Sequence, residues 1–223
     1  MRKKMIVEKD GVLYTPCFGG YAVKGVVTPM MNGTIQIPSF VNGIKVVRIL
    51  ANAFANNDWL KEIYLPCDIE SIEERAFYDC KGLKNVVFAG IHYSGVVVGR
   101  AAFYNCSSLE KIGRPLRLDG AYVFQNCYNL TSVTVVGAVP IGSFWGDYKL
   151  KTIHFFPEEN SDVYISDGSF TGCNNIKSAF FYANNVEVKE KDLDLLRNAA
   201  IYCEEDCNLW DLYYDGYDVR VML

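Results

Sequence analysis

Eight cysteines, two histidines and 26 acidic residues are what this 223-residue chain offers for chemistry. A thiolate can attack a carbonyl, bind a soft metal or oxidise to a disulfide, and each role needs a partner on the same face. Four of the cysteines stand in one setting. Cys80, Cys106, Cys127 and Cys173 each lie three residues after a phenylalanine and three before Leu83, Leu109, Leu130 or Ile176. A cysteine tied to a recurring phrase reads as a small buried side chain with an inert free thiol, not as a nucleophile. Cys17 and Cys67 have no such setting. Cys203 and Cys207 can lie close, but CEEDC is not a CxxC redox pair, and no histidine is near enough to complete a zinc site. His92 falls in the variable stretch IHYSG and His154 on the outward side of a predicted strand, away from the cysteines. The chain has no phosphate-binding glycine loop, HExxH or GxSxG. The outward residues Glu62, Asn85, Lys111, Ser132, Thr152 and Ser178 include one carboxylate, so the acid/base pair of a glycan-processing solenoid is missing. The expectation is a protein that is not an enzyme and takes no metal or cofactor.

The phrase that holds those cysteines runs six times from residue 53 to residue 183. Its anchors Phe54, Phe77, Phe103, Phe124, Phe144 and Phe170 are 23, 26, 21, 20 and 26 residues apart. Periods of this length mean a solenoid of short units that cannot bury their apolar sides alone. Counting from each phenylalanine, +3 is Asn57, Cys80, Cys106, Cys127, Asp147 and Cys173. Position +6 is aliphatic throughout, and +9 and +11 alternate as in a strand with one buried face. Arg114 stands where the other copies put an apolar +11 side chain, so that strand stops early at Pro115 or its register slips. Position +2 is Asn56, Asp79, Asn105, Asn126, Gly146 and Gly172, residue types that tolerate positive φ and so predict a tight corner. Ile49, Ile72, Val98, Val139 and Ile165 form a second apolar series five residues ahead of the anchors. Stacking the coils at strand spacing, about 4.8 Å, predicts a continuous buried phenylalanine column.

A net charge of −4 argues against nucleic acid as partner. No window approaches the length of a membrane span, so membrane insertion is not expected. The opening MRKKMIVEKDGVLY has basic residues but no apolar h-region, so it does not read as a signal peptide, although a trimmed leader would leave the same sequence. Asn42-Gly43 between alternating apolar residues predicts a hairpin among strands at residues 10–49 that close the N-terminal end. Lys189–Ala200 predicts a short helix with Leu193, Leu196 and Ala200 on one face. The aromatic tail from Ile201 is expected to cover the last coil.

The phrase AF-x-(N/D)-C-x-x-L-x-x-(I/V), with IP or LP after the strand, resembles the BspA-type leucine-rich repeats. IQIPSFVNGIKVVRI looks like the stretch before that family's first full repeat, and AIYCEE with WDLYYDGY like its terminal strand and tail. The resemblance implies one right-handed leucine-rich-repeat solenoid over residues 1–223: short parallel strands stacked coil on coil, cap strands at 10–49, six repeats at 50–185, and a helix and cap at 186–223. It also implies an adhesion or interaction module, at the cell surface or secreted, with a protein or glycan partner. A monomer is expected. A structural spacer within a larger surface protein or particle is the alternative reading, and a glycan-processing enzyme a distant third. The candidate patch is the outward aromatic row Tyr64, His154, Phe156, Phe180 and Tyr182, either an exposed binding surface or core beneath residues 186–223.

Overall fold

A computed structural model describes residues 6–90, 95–159 and 161–222; His92 lies outside them. Each coil places two short strands and two corners around a shared apolar interior. The front row begins with Thr34–Gln36, Glu62–Leu65, Asn85–Phe88 and Lys111–Ile112, parallel and in register through Ile35, Ile63, Val86 and Ile112. It resumes with Ser132–Val136, Thr152–Phe156, Ser178–Phe181, Ala200–Cys203 and Asp218–Val221. The apolar series ahead of the anchors makes a second parallel row, through Ile49, Ile72 and Val98. The two rows meet where Leu116 pairs with Val135.

That junction answers the question posed by Arg114. The front strand of the third repeat stops at Ile112. Arg114 is buried, its guanidinium donating to the Cys67 carbonyl at 2.8 Å and lying 5.5 Å from the Phe88 ring centre. The cation fills the apolar position by stacking on an aromatic neighbour.

The phenylalanine column forms as the spacing predicts. Neighbouring rings from Phe54 to Phe170 stack at 5.0–5.4 Å and within 11° of parallel. Beside it runs a ladder of thiols. Cys80, Cys106, Cys127 and Cys173 donate at 2.8–3.1 Å to the carbonyls of Phe54, Phe77, Phe103 and Phe144, each one coil earlier. All eight cysteines are free, and burial pushes the Cys80 thiol up to about 12. Asn57, with no phenylalanine coil before it, turns its amide to its own Phe54 carbonyl at 2.8 Å. Asp147 is the outlier of the ladder: fully buried, it accepts the Cys127 N–H with Oδ1 and leaves Oδ2 without a partner.

The +2 corner is left-handed in all six repeats, with φ from 58° to 84°. Hence Asn126→Gly is expected to be tolerated within about 1 kcal/mol, whereas Asn126→Val costs about 1–2 kcal/mol or more, read from denaturant midpoints. Equal effects of the two substitutions would remove the corner as the reason for the residue choice.

At the N-terminal end Val7–Lys9, Val12–Cys17 and Gly20–Val26 form an antiparallel meander, whose last strand pairs parallel with Ile44–Ile49. Asn42-Gly43 makes the predicted hairpin, with φ of 50° and 76° and Val41 facing Ile44. At the other end the helix spans Glu190–Leu196, shorter than expected: Ala200 is not on its face but opens the strand Ala200–Cys203. The helix's Asp192, buried, accepts the Ser169 and Phe170 N–H groups at 3.0 Å, closing the anchor-side ladder where the next coil's carbonyls would stand. The tail does not fold over the front face. Its strands Ala200–Cys203 and Asp218–Val221 add two further coils. Among the described residues no helix is long and apolar enough to cross a membrane.

Candidate functional site

Strand alternation sends +9 and +11 inward and leaves +8, +10 and +12 on the front face. Four of the five residues singled out from the sequence come together there. His154 stacks on Phe180 at 4.5 Å and 7°, and Phe180 stacks on Tyr202 at 4.6 Å and 9°. Beside them Phe156 and Tyr182 stack at 4.1 Å and 4°. Phe156 is the last residue of its strand, paired with Val136, not the start of the following loop. His154 Nδ1 and the Tyr182 hydroxyl are hydrogen-bonded at 3.3 Å, tying the two ladders together. Burial holds His154 below the ordinary histidine range, so the ring is neutral at pH 7 and behaves as one more aromatic rung.

Tyr64 is not part of this cluster. It is 40% exposed beside Val87 and donates to Glu62 Oε2 at 3.3 Å. The coils of Val87, Gly113 and Thr134 separate it from His154, roughly 19 Å at strand spacing.

Two members come from the tail, and the tail reading missed them. Tyr202 continues the ladder, and Arg220 lies over its far face, 5.6 Å from the ring centre, donating to the Tyr202 hydroxyl at 3.1 Å. Asp218 fixes Arg220 with two hydrogen bonds of 2.9 and 2.6 Å, which hold the Asp218 carboxyl below its usual range. Ala200-Ile201-Tyr202-Cys203 has the same out–in alternation as Ser178-Ala179-Phe180-Phe181, but with no Phe–Cys anchor ahead of it the alternation does not say which strand it joins.

The rings are half-buried, with Phe156 36% exposed. Stacked along the solenoid axis, they cover one another's inner faces and turn their edges to solvent, and Arg220 lies over the far face of Tyr202. Exposed Lys151 and Lys177 stand where two of these strands begin, and exposed Glu159, Glu204, Glu205 and Asp206 follow where the strands end. The platform is thus an apolar strip between a cationic and an anionic rim. His154 faces outward while the ladder cysteines face inward, so they cannot act as a pair. Among the described residues no group of three His, Cys, Asp or Glu side chains is placed to hold a metal.

The fold is shared with solved bacterial proteins. The chain aligns with a T. pallidum leucine-rich repeat protein at a TM-score of 0.66 and 20% identity, over 96% of this chain and 97% of that one. A leucine-rich cell surface protein of Faecalibacterium prausnitzii A2-165 aligns at 0.65 and 20% identity, over 92% of this chain but 56% of that one. The chain therefore spans little more than half of that protein's length. No curated protein sequence matches. The BspA type leucine-rich repeat region matches residues 47–177 in six copies, more than half of the chain and a span that contains all six phenylalanines of the column. This chain belongs to the BspA-type leucine-rich repeat family.

Proposed function

We propose that the protein is a non-catalytic binding module of the adhesion type, which holds a polypeptide partner on the ladder His154–Phe180–Tyr202 and its neighbours Phe156 and Tyr182. The observation that carries this reading is an ordered, half-exposed aromatic strip kept on the surface of a rigid sheet, between rims of opposite charge. Such strips act as anchors because they bury large area at little entropic cost. The edge-on rings favour a polypeptide over a neutral glycan. A sugar stacks on an open ring face, and here both faces of Phe180 and Tyr202 are taken, by His154, by each other and by Arg220. Aliphatic side chains and carbonyl oxygens pack well against ring edges and tyrosine hydroxyls, and a segment with charges of both signs meets both rims. The F. prausnitzii relative is described as a cell surface protein. A surface or secreted setting suits the same role here.

The test is solid-phase binding of the purified protein to extracellular-matrix proteins, with neutral glycans as controls. Phe180→Asp and the double change with His154→Asp are expected to weaken binding at least about tenfold, about 1.4 kcal/mol, at an unchanged thermal midpoint. Undiminished binding in the folded variants sinks the ladder as the site. Capture of glycans alone sinks the polypeptide partner. Self-association in sedimentation velocity, with no heterologous partner, makes the chain a structural unit instead.

A further inference from the structure

Cys203 and Cys207 differ from the ladder thiols in what they touch. Each ladder thiol donates to a backbone carbonyl one coil away. Cys203 instead closes its strand in the inward register of Phe181 and Val221, and shares the buried apolar cluster at this end with Cys207, four residues on. The intervening Glu204, Glu205 and Asp206 loop out to solvent, and the Cys207 N–H returns to the Glu204 carbonyl at 3.1 Å. Trp210 Nε1 donates to the same carbonyl at 3.2 Å, which fixes the turn. Both thiols are buried, 0% and 3% exposed, within the apolar cluster at the C-terminal end. Two buried thiols four residues apart, on either side of a turn tied by backbone and indole hydrogen bonds, stand where an approach of the sulfurs can bring them to bonding distance.

We propose that Cys203 and Cys207 are a disulfide-forming pair, the oxidised form locking the strand that carries Tyr202 to the turn at Asn208–Trp210. The oxidant is a low-molecular-weight disulfide. One cysteine attacks it to give a mixed disulfide and one released thiol; the second cysteine then displaces the other half. Two S–H bonds are lost, one S–S bond forms, and the two electrons and two protons leave with the reduced thiols. Burial pushes Cys203 up to about 12 and raises Cys207 as well, so the folded pair holds little thiolate. The bond therefore forms as the chain folds, before the turn closes over it.

The assignment is independent of what the ladder binds. The test unfolds the whole chain, refolds it against a mixture of oxidised and reduced glutathione, alkylates the remaining thiols and maps the peptides without reduction. The expected product carries one intramolecular bond between Cys203 and Cys207, with the other six cysteines alkylated. It also melts a few degrees above the reduced protein, because the closed loop restricts the unfolded chain. Cys207→Ser forms no bond and shows no such rise. Eight alkylated cysteines overturn the assignment, as does a bond that maps to Cys17, Cys67 or the ladder thiols.

Discussion

Phe103→Ala is expected to destabilise the protein by about 3–5 kcal/mol and to lower its thermal midpoint by on the order of 10 °C. Phe103 is fully buried and stacks between Phe77 at 5.1 Å and Phe124 at 5.3 Å. Its loss removes the transfer energy of a phenyl group and both ring contacts, and leaves a gap in the middle of the column. The coils on either side cannot close that gap, because their backbones are held apart at strand spacing by inter-coil hydrogen bonds such as Phe77 N–H to Ala102 at 2.8 Å and Phe103 N–H to Val123 at 2.9 Å. Phe54 sits at the end of the column with Phe77 as its ring neighbour, so Phe54→Ala is expected to cost less. The check is chemical denaturation of both variants beside the parent. Equal losses, or an unchanged midpoint for Phe103→Ala, would mean that the column is not what couples the coils.

Asp147→Cys is expected to do the opposite. At the ladder position the other late repeats place a thiol that donates to the preceding anchor's carbonyl, whereas Asp147 brings a carboxyl into a site with no cation. Burial holds that carboxyl well above the usual carboxylate range, and the one opposing influence is the Cys127 N–H at 2.8 Å. The groups above and below are the Cys127 and Cys173 thiols, themselves raised by burial and by Asp147. The direction of the pH effect follows. The unfolded chain releases the Asp147 proton near pH 3.9, while the folded chain keeps it to higher pH. Between those two values the native state binds more protons, so its stability falls as pH rises, and the loss is complete above the folded value. A thiol in its place stays neutral throughout and donates to the Phe124 carbonyl. The gain is expected to be small near pH 4 and to grow to about 2–3 kcal/mol toward neutrality. Denaturant midpoints of variant and parent across that range measure it directly. A difference that does not change with pH would show that the Asp147 carboxyl ionises as freely inside the stack as in the unfolded chain.

The sequence by itself determined the features set by residue type at a repeated position. Phenylalanine at each anchor, cysteine three residues on, aliphatics at +6 and +9, and Asn, Asp or Gly at +2 define the column, the thiol ladder and the left-handed corner, and all three form as read. Each is local to one coil, and six copies average out the noise of any one. What only the tertiary structure decided depends on contacts between coils. A second left-handed corner two residues before each anchor shows in residue type at Asn52, Gly142 and Gly168, with φ of 58°, 64° and 75°, but not at Arg75, Ala101 and Tyr122, with φ of 53°, 51° and 62°, where the neighbouring coil holds the backbone. The break at Arg114 was visible, but its outcome rested on Phe88, one coil back, and Cys67, two coils back. Of the aromatic cluster proposed as the site, His154, Phe156, Phe180 and Tyr182 were legible, because their coils carry the phrase. Tyr202 and Arg220 were not, because their coils lack the Phe–Cys anchor. A strand of four residues with alternating side chains does not declare which neighbour it will pair with. Only the docking of Ala200–Cys203 and Asp218–Val221 onto the open edge of Ser178–Phe181 extends the ladder, and so leaves the aromatics at the surface instead of under a cap.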